Sequence, residues 1–217
     1  MVVDNKGRLI GVINIDDVVE IVHEETNEDM MLLTGAESND VYRSVFSIFK
    51  SRSIWLVTNL FATIVAASVV GEFQDIIAQL SILAVLMPIV ASMGGTTGQQ
   101  TLAVVVRSLA TKELNSRNAL RMIGKEFMVG LCNGLLFAVM IGIAVRIWFP
   151  GQEMISYIIA LAMLCNLTVA SLAGILIPLT INRLKIDPAI ASGVFLIACT
   201  DSGGYFIFLG LAKLLLF

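Results

Sequence analysis

Histidine, cysteine and, over most of its length, acid are scarce in this chain of 217 residues. The cysteines Cys132, Cys165 and Cys199 are odd in number, widely spaced and set in apolar runs. That pattern makes neither a disulfide framework nor a metal motif, and it reads as buried thiols filling space. His23 is the one histidine and sits among acids, so a metal-ligand role for it is a minor reading beside a solvated one. Charged residues are only 14% of the chain, and the net charge of −3 offers no surface for nucleic acid. The start, Met1-Val-Val-Asp-Asn, lacks the basic and apolar regions of a secretory signal, which leaves targeting to the first span.

What is abundant is apolar surface. At 57% hydrophobic the chain exceeds a soluble domain of its size, so lipid is the solvent for much of it. Ten of the 17 acids fall in the first 40 residues: Asp4, Asp16, Asp17, Glu20, Glu24, Glu25, Glu28, Asp29, Glu37 and Asp40. This divides the molecule into a short acidic head and a long membrane body. Each span needs about 20 mostly apolar residues. Five stretches qualify, at residues 54–70, 80–110, 127–149, 154–181 and 188–217. The fold class expected is an all-α polytopic membrane protein. Pro88 and Pro178 fall within spans, where neighbours can satisfy freed carbonyls.

Basic residues set the orientation. Lys50, Arg52, Arg107, Lys112, Arg117, Arg121, Lys125, Arg183 and Lys185 gather at one side, against Arg146 and Lys213 at the other. The positive-inside rule places the N-terminus in the cytoplasm and the C-terminus outside a plasma or inner membrane. Trp55 falls at the inner boundary and Trp148 and Tyr157 at the outer one, as an aromatic belt would. Residues 111–125, amphipathic and basic, read either as a segment lying on the inner lipid surface or as a solvated turn.

The head reads as strand, Lys-Gly turn, strand and then a helix begun by an aspartate cap at Asp16-Asp17. Two strands and a helix bury too little to stand alone, so residues 1–22 look like a fragment of a larger domain. Their Gly-Val-Ile-x-x-Asp-Asp pattern resembles the closing β-β-α piece of a CBS domain. An acidic helix continues over residues 18–33, either as a solvated connector or as a cation-sensing surface.

Two stretches of the membrane body are unlike lipid-facing helix. The second span carries Pro88-Ile-Val-Ala-Ser-Met-Gly94-Gly95-Thr-Thr-Gly98-Gln99-Gln100 near its centre. Small residues there allow tight helix packing. The alternative, favoured by the glutamines, is a loosened helix whose carbonyls line a water-filled path. The last span carries Asp201 near its middle, where a carboxylate costs several kcal/mol unless it faces a partner, a cavity or an ion. Asp187, before Pro188, can cap that helix. Fourteen residues separate the two acids, placing them roughly 21 Å apart along nearly one face. Gly193 and Ile197 lie near the same stripe, and Asn166 adds a polar group in the fourth span. The Asn166-Leu-Thr168 sequon has no meaning inside a span.

At these residues the chain resembles the MgtE family of magnesium channels and transporters. The features that carry the resemblance are Pro-x-x-x-x-Met-Gly-Gly-x-x-Gly-x-Gln over residues 88–100 and the Arg107-Ser-Leu-Ala after it. Asp187-Pro-Ala-x-x-Ser-Gly with Thr200-Asp201, and five spans after a CBS piece, complete them. The resemblance implies a homodimer with its pore between subunits, lined by the second and fifth spans. It implies that Asp201 holds magnesium in the pore through the ion's retained waters, and that Asp187 stands at the cytoplasmic entrance. Gly94, Gly95, Gly98, Gly193, Ile197 and Asn166 would line the path, with Mn2+, Co2+ or Ca2+ as further candidate ions. It divides the chain into a CBS remnant (1–22), a plug-like connecting helix (23–53) and a pore domain (54–217). A full family member carries an N-terminal helical domain and two CBS domains, so the chain looks truncated. At Gly193 some relatives carry asparagine, so no side-chain contact transfers there. Magnesium sheds water reluctantly, which suits few, well-placed carboxylates better than a tight cage. The rival function is a proton- or sodium-coupled carrier of divalent cations. An aspartic-protease reading of Asp201-Ser-Gly and a purely structural subunit are the remaining, weaker ones, and no enzyme is expected.

Overall fold

The computed structural model describes residues 2–36, 40–115 and 117–216, apart from the side chains of Val3, Val22, Thr26 and Asp29. Glu37, one of the acids of the head, and the middle of the 23–53 connector lie outside the described residues.

The head forms the expected order of elements. Strands β1 (Val2–Val3) and β2 (Leu9–Gly11) pair antiparallel, with Val3 opposite Leu9. Between them Asp4 accepts from the backbone N–H of Lys6 and of Arg8, and Gly7 takes a φ of 74°, which a side chain would strain. Helix α1 (Ile15–Leu32) follows. Its start differs in detail from the expected aspartate cap. Asn14 precedes the helix, and Asp17 reaches back from the first turn to accept its N–H at 2.8 Å.

The connector is not one helix. After α1 the chain turns at Thr34–Gly35, where Gly35 has φ 71° and packs so close to Trp55 that a Cβ would overlap the indole. A short 3-10 turn at Asp40–Tyr42 is pinned by Asp40, which pairs with Arg43 at 3.1 Å and Arg52 at 2.7 Å. Ser44 then caps α2 (Val45–Gly71), accepting from the N–H of Ser47.

Five helices among the described residues are long and apolar enough to cross a membrane. They are α2, α4 (Ile82–Ala110), α5 (Ala119–Trp148), α6 (Glu153–Arg183) and α7 (Pro188–Leu216), with a short α3 (Gln74–Gln79) between the first two. Two begin earlier than their apolar runs. The helix α2 starts nine residues ahead of the expected span and α5 eight, because helical hydrogen bonding continues into charged residues that lipid excludes. Residues 119–125, expected as part of a loop, are therefore the first turns of α5.

The fourth span, α6, sits at the centre and meets α4, α5 and α7, while α2 lies outside against α7. The largest apolar cluster joins Leu83, Leu86 and Val90 of α4 to Ile155, Ile158 and Ile159 of α6 and Phe208 and Leu209 of α7. In lipid this burial brings little hydrophobic gain, so close packing has to hold the helices. The α5 residues Gly130, Gly134, Ala138 and Gly142 recur every four positions along one face. A Cβ on Gly134 would stand 2.9 Å from the Leu164 carbonyl, and one on Gly130 2.8 Å from Ser171, so the glycines let α5 lie directly on α6. The opposite face of α5, with Met128, Leu136 and Met140, is exposed and suits acyl chains. Cys132 and Cys199 are exposed as well, and Cys165 is intermediate. The expectation of three buried thiols thus fails, since an apolar, polarizable thiol is as much at home against lipid as in a core.

Candidate functional site

The last span positions both singled-out acids. Pro188 sets the first turn of α7 with its fixed φ, and Asp187 just before it accepts the N–H of Ala189 at 2.8 Å. Asp187 thus caps the helix while its side of the residue stays exposed. From there α7 runs unbroken for 29 residues, with Asp201 at its central turn. One face, Ala189, Ser192, Gly193, Leu196, Thr200 and Gly204, is buried. Asp187, Ile190, Val194, Ile197 and Asp201 follow helical spacing along another face and remain exposed or half-exposed. Among the described residues the Asp201 carboxylate has neither a hydrogen bond nor an ion pair. Asp187 lies about 21 Å away along the axis, so the two do not form one site.

The depth of Asp201 is fixed by its neighbours. A Cβ on Gly98 of α4 would stand 2.9 Å from Leu196, and Cβ atoms on Gly94 and Gly204 would both meet Asn166. Position 94 therefore faces 204 and position 98 faces 196, so α4 and α7 run antiparallel and Asp201 lies level with the glycine-rich turn. The carboxylate and the glycines share the middle of the bundle.

That stretch is an intact helix, which corrects the expectation of a loosened one. The helix α4 is continuous from Ile82 to Ala110, through the glycine-rich turn. Gly94, Thr97, Gly98 and Thr101 are buried. A Cβ on Gly174 of α6 would lie 2.6 Å from the Gly98 carbonyl, so glycine on both sides brings the two backbones together. Small residues here serve packing. The glutamines have a different place: Gln99 and Gln100, with Ser92 and Thr96, lie on the exposed side of α4.

The expected path-lining residues accordingly divide. Asn166 is 1% exposed and donates through Nδ2 to the Val90 carbonyl at 2.7 Å. It bridges α6 to α4 behind Asp201 and lines no open surface. Gly94 and Gly98 are packed as described, and Gly193 is covered by the Leu33 carbonyl and the Trp55 ring at 3.2 and 3.3 Å from where its Cβ would be. Gly95, with nothing within 4 Å of that point, and Ile197, one turn before Asp201, stay open.

Two features were not read from the sequence. Glu126 on α5 accepts from the Thr101 hydroxyl of α4 at 2.9 Å, a carboxylate turned into the bundle near its basic end. Its spacing from Asp201 gave no hint of this, because the contact spans two helices. At the same end a cavity of about 1050 Å³ is lined by Glu25 and Glu28 of α1, Asp187, Lys112 and Lys185. Its three acids come from two elements brought together by the Leu32–Leu33 turn, which packs on Leu102, Ala189 and Leu196. No three histidine, cysteine, aspartate or glutamate side chains among the described residues converge as a metal cage. The arrangement suits a cation held through its water, or one shared with another surface.

Comparison with known proteins agrees with this architecture. A family model, MgtE, described as a divalent cation transporter, matches residues 87–211, which include the glycine-rich turn, Asp187 and Asp201. A protein named magnesium transporter MgtE from Enterococcus faecalis is 33% identical over 98% of this chain and 47% of its own length. One of the same name from Bacillus subtilis is 31% identical over 97% and 47%. A third, from Thermus thermophilus, is 30% identical over 99% and 48%. The chain spans about half the length of the curated relatives it matches.

Proposed function

From the premise that this chain belongs to the MgtE family of divalent cation transporters, we propose that it carries magnesium across the membrane past Asp201. The observation that carries this reading is the half-exposed carboxylate at mid-depth of a span, unpaired among the described residues. Left against lipid it would cost several kcal/mol, whereas a hydrated dication would offset that cost without stripping its shell. Two such chains packed through the open faces of α4 and α7 would enclose Asp201, Ile197, Gly95, Ser92, Thr96 and Gln99 in a shared polar path. Two opposed carboxylates would then repel one another unless a cation lay between them, which favours occupancy by a divalent ion. The names of the three relatives support magnesium as that ion.

Asp187 takes the role of an entrance group. It faces Glu25 and Glu28 across the basic-end cavity, so a hydrated cation there would tie α1 to the start of α7. The nine cations on this side support a cytoplasmic head and an extracytoplasmic C-terminus. On this reading the β-β-α head is the end of a CBS domain and α1 the connecting element that carries its state to the bundle.

The test is magnesium uptake into liposomes reporting through an internal fluorescent indicator. Wild-type chain should carry magnesium, and Asp201→Asn should reduce flux at least 100-fold while its oligomeric state by light scattering stays unchanged. Full uptake by Asp201→Asn would remove the proposal. Uptake that collapses on adding a protonophore would instead support the coupled carrier. Among the described residues the other acids of the spanning helices are Glu126, bonded to Thr101, and Glu153, paired with Arg146 at the far end, which favours the uncoupled path.

A further inference from the structure

The basic end holds another cavity, on the far side of α4 from the acids of α1. Its volume is about 300 Å³, and Ser108 of α4, the loop residues Glu113 and Asn118, and Arg121 and Lys125 of α5 form its polar wall. Arg121 and Lys125 are four residues apart, one above the other on a helix face about 6 Å along the axis. Neither has an ion pair among the described residues. Glu126, the nearest acid along α5, turns away to Thr101 and does not neutralise them. Glu113 at the rim sets one carboxylate against two cations.

Membrane depth narrows the occupant. With 30 residues, α5 is about 45 Å long, well over the roughly 30 Å of hydrocarbon. Its uncharged stretch starts at Phe127 and runs to Val145, so Arg121 and Lys125 lie at the level of lipid headgroups. The loop that closes the cavity is already set. Leu114 donates to the Ser108 carbonyl at 2.8 Å, and Asn118 accepts from Asn115 and donates to the Glu113 carbonyl at 2.8 and 2.7 Å. Because Asn118 is engaged in the loop, the first turn of α5 has no side-chain cap. Its positive dipole end therefore adds to the two cations. Below the pocket, exposed Phe127 and Met128 continue down α5 as apolar surface.

We propose that this pocket binds the phosphate of an anionic glycerophospholipid, held by Arg121 and Lys125, with the acyl chains against the outer face of α5. Guanidinium and ammonium side by side suit a phosphate diester, and at this depth lipid supplies one at far higher local density than solution does. The lipid would join the ends of α4 and α5, and through Ser108 it would steady the mouth of the span that carries the glycine-rich turn. The site goes beyond the transport reading and depends only on the chain lying in a membrane.

The test uses the full chain in detergent, with retained lipid counted by native mass spectrometry after offering phosphatidylglycerol or phosphatidylcholine. Wild type should retain phosphatidylglycerol in preference. The double variant Arg121→Gln with Lys125→Gln should retain it on the order of 30-fold less well. The charge-preserving pair Arg121→Lys with Lys125→Arg, and Arg146→Gln at the opposite end, should keep it. Equal retention of the two lipids by wild type, or undiminished phosphatidylglycerol on the neutral double variant, would overturn the site. Displacement of the lipid by millimolar inorganic phosphate would overturn the lipid as its source and assign it to a free anion. If the neutral variant does not fold, the salt dependence of the charge-preserving pair decides. A phosphatidylglycerol preference that weakens with added salt supports the site, and one indifferent to salt refutes it.

Discussion

Replacing Gly174 with alanine tests the packing that sets the depth of Asp201. A Cβ there would stand 2.6 Å from the Gly98 carbonyl oxygen and 2.8 Å from the Thr101 Cβ. The first of these is backbone, so no side-chain rotation relieves it. Moving from 2.6 Å to the 3.4 Å of an ordinary contact needs α4 and α6 to part by about 0.8 Å. Overpacking of this kind costs about 1–3 kcal/mol, and alanine recovers about 0.5–1 kcal/mol of helix propensity over glycine. The net expectation is a destabilisation of about 1–2 kcal/mol. Gly210→Ala is the internal control. The same substitution on α7, away from the path, has nothing within 4 Å, so propensity alone should leave it neutral or slightly more stable. Both variants would be unfolded by graded sodium dodecyl sulfate in mixed micelles and followed by tryptophan emission. The separation should also slow magnesium uptake in Gly174→Ala, because α4 carries the open face beside Asp201. Equal stability of Gly174→Ala and wild type, or equal loss in both glycine variants, would refute the backbone-contact argument.

Two further outcomes follow from single hydrogen bonds. Asn166→Leu removes the donor to the Val90 carbonyl and puts a branched side chain between Gly94 and Gly204. It should lose about 1–2 kcal/mol in the same micelle titration, near the upper range for a buried bond between membrane helices. An unchanged midpoint would mean that Asn166 contributes nothing as a bridge. Asp187→Ala removes the acceptor for the Ala189 N–H, a loss of about 1 kcal/mol of cap. It should also shift the magnesium dependence of uptake while leaving the maximal rate within about threefold, since the residue is about 21 Å from Asp201. A loss of rate as deep as that of Asp201→Asn would show that the entrance and the mid-depth site act as one.

Much of the architecture was legible before any coordinate. Composition and run length gave five spans because lipid demands long apolar segments and tolerates few others. The Asp187-Pro188 pair announced a helix start that the structure places at that pair, since a cap and a fixed φ are local properties. Helix ends were misjudged in α2 and α5 because hydrophobicity reports where lipid ends, not where hydrogen bonding does. The glycine-rich turn was misjudged for a related reason. Gly94, Gly98 and Gln99 look alike as departures from lipid-facing helix, and only their angular positions separate them.

By itself, then, the sequence determined what is periodic or local: the spans, the caps, the head's hairpin and helix, and the presence of one costly acid at mid-depth. Tertiary structure decided what depends on which helix lies opposite. It set Asn166 behind Asp201 as a bridge, closed Gly98 onto Gly174, turned Glu126 inward and left Arg121 and Lys125 without an ion pair among the described residues. The physical reason is that packing in lipid is decided by how closely two backbones can approach. That distance belongs to a pair of surfaces, and no single stretch of chain contains it.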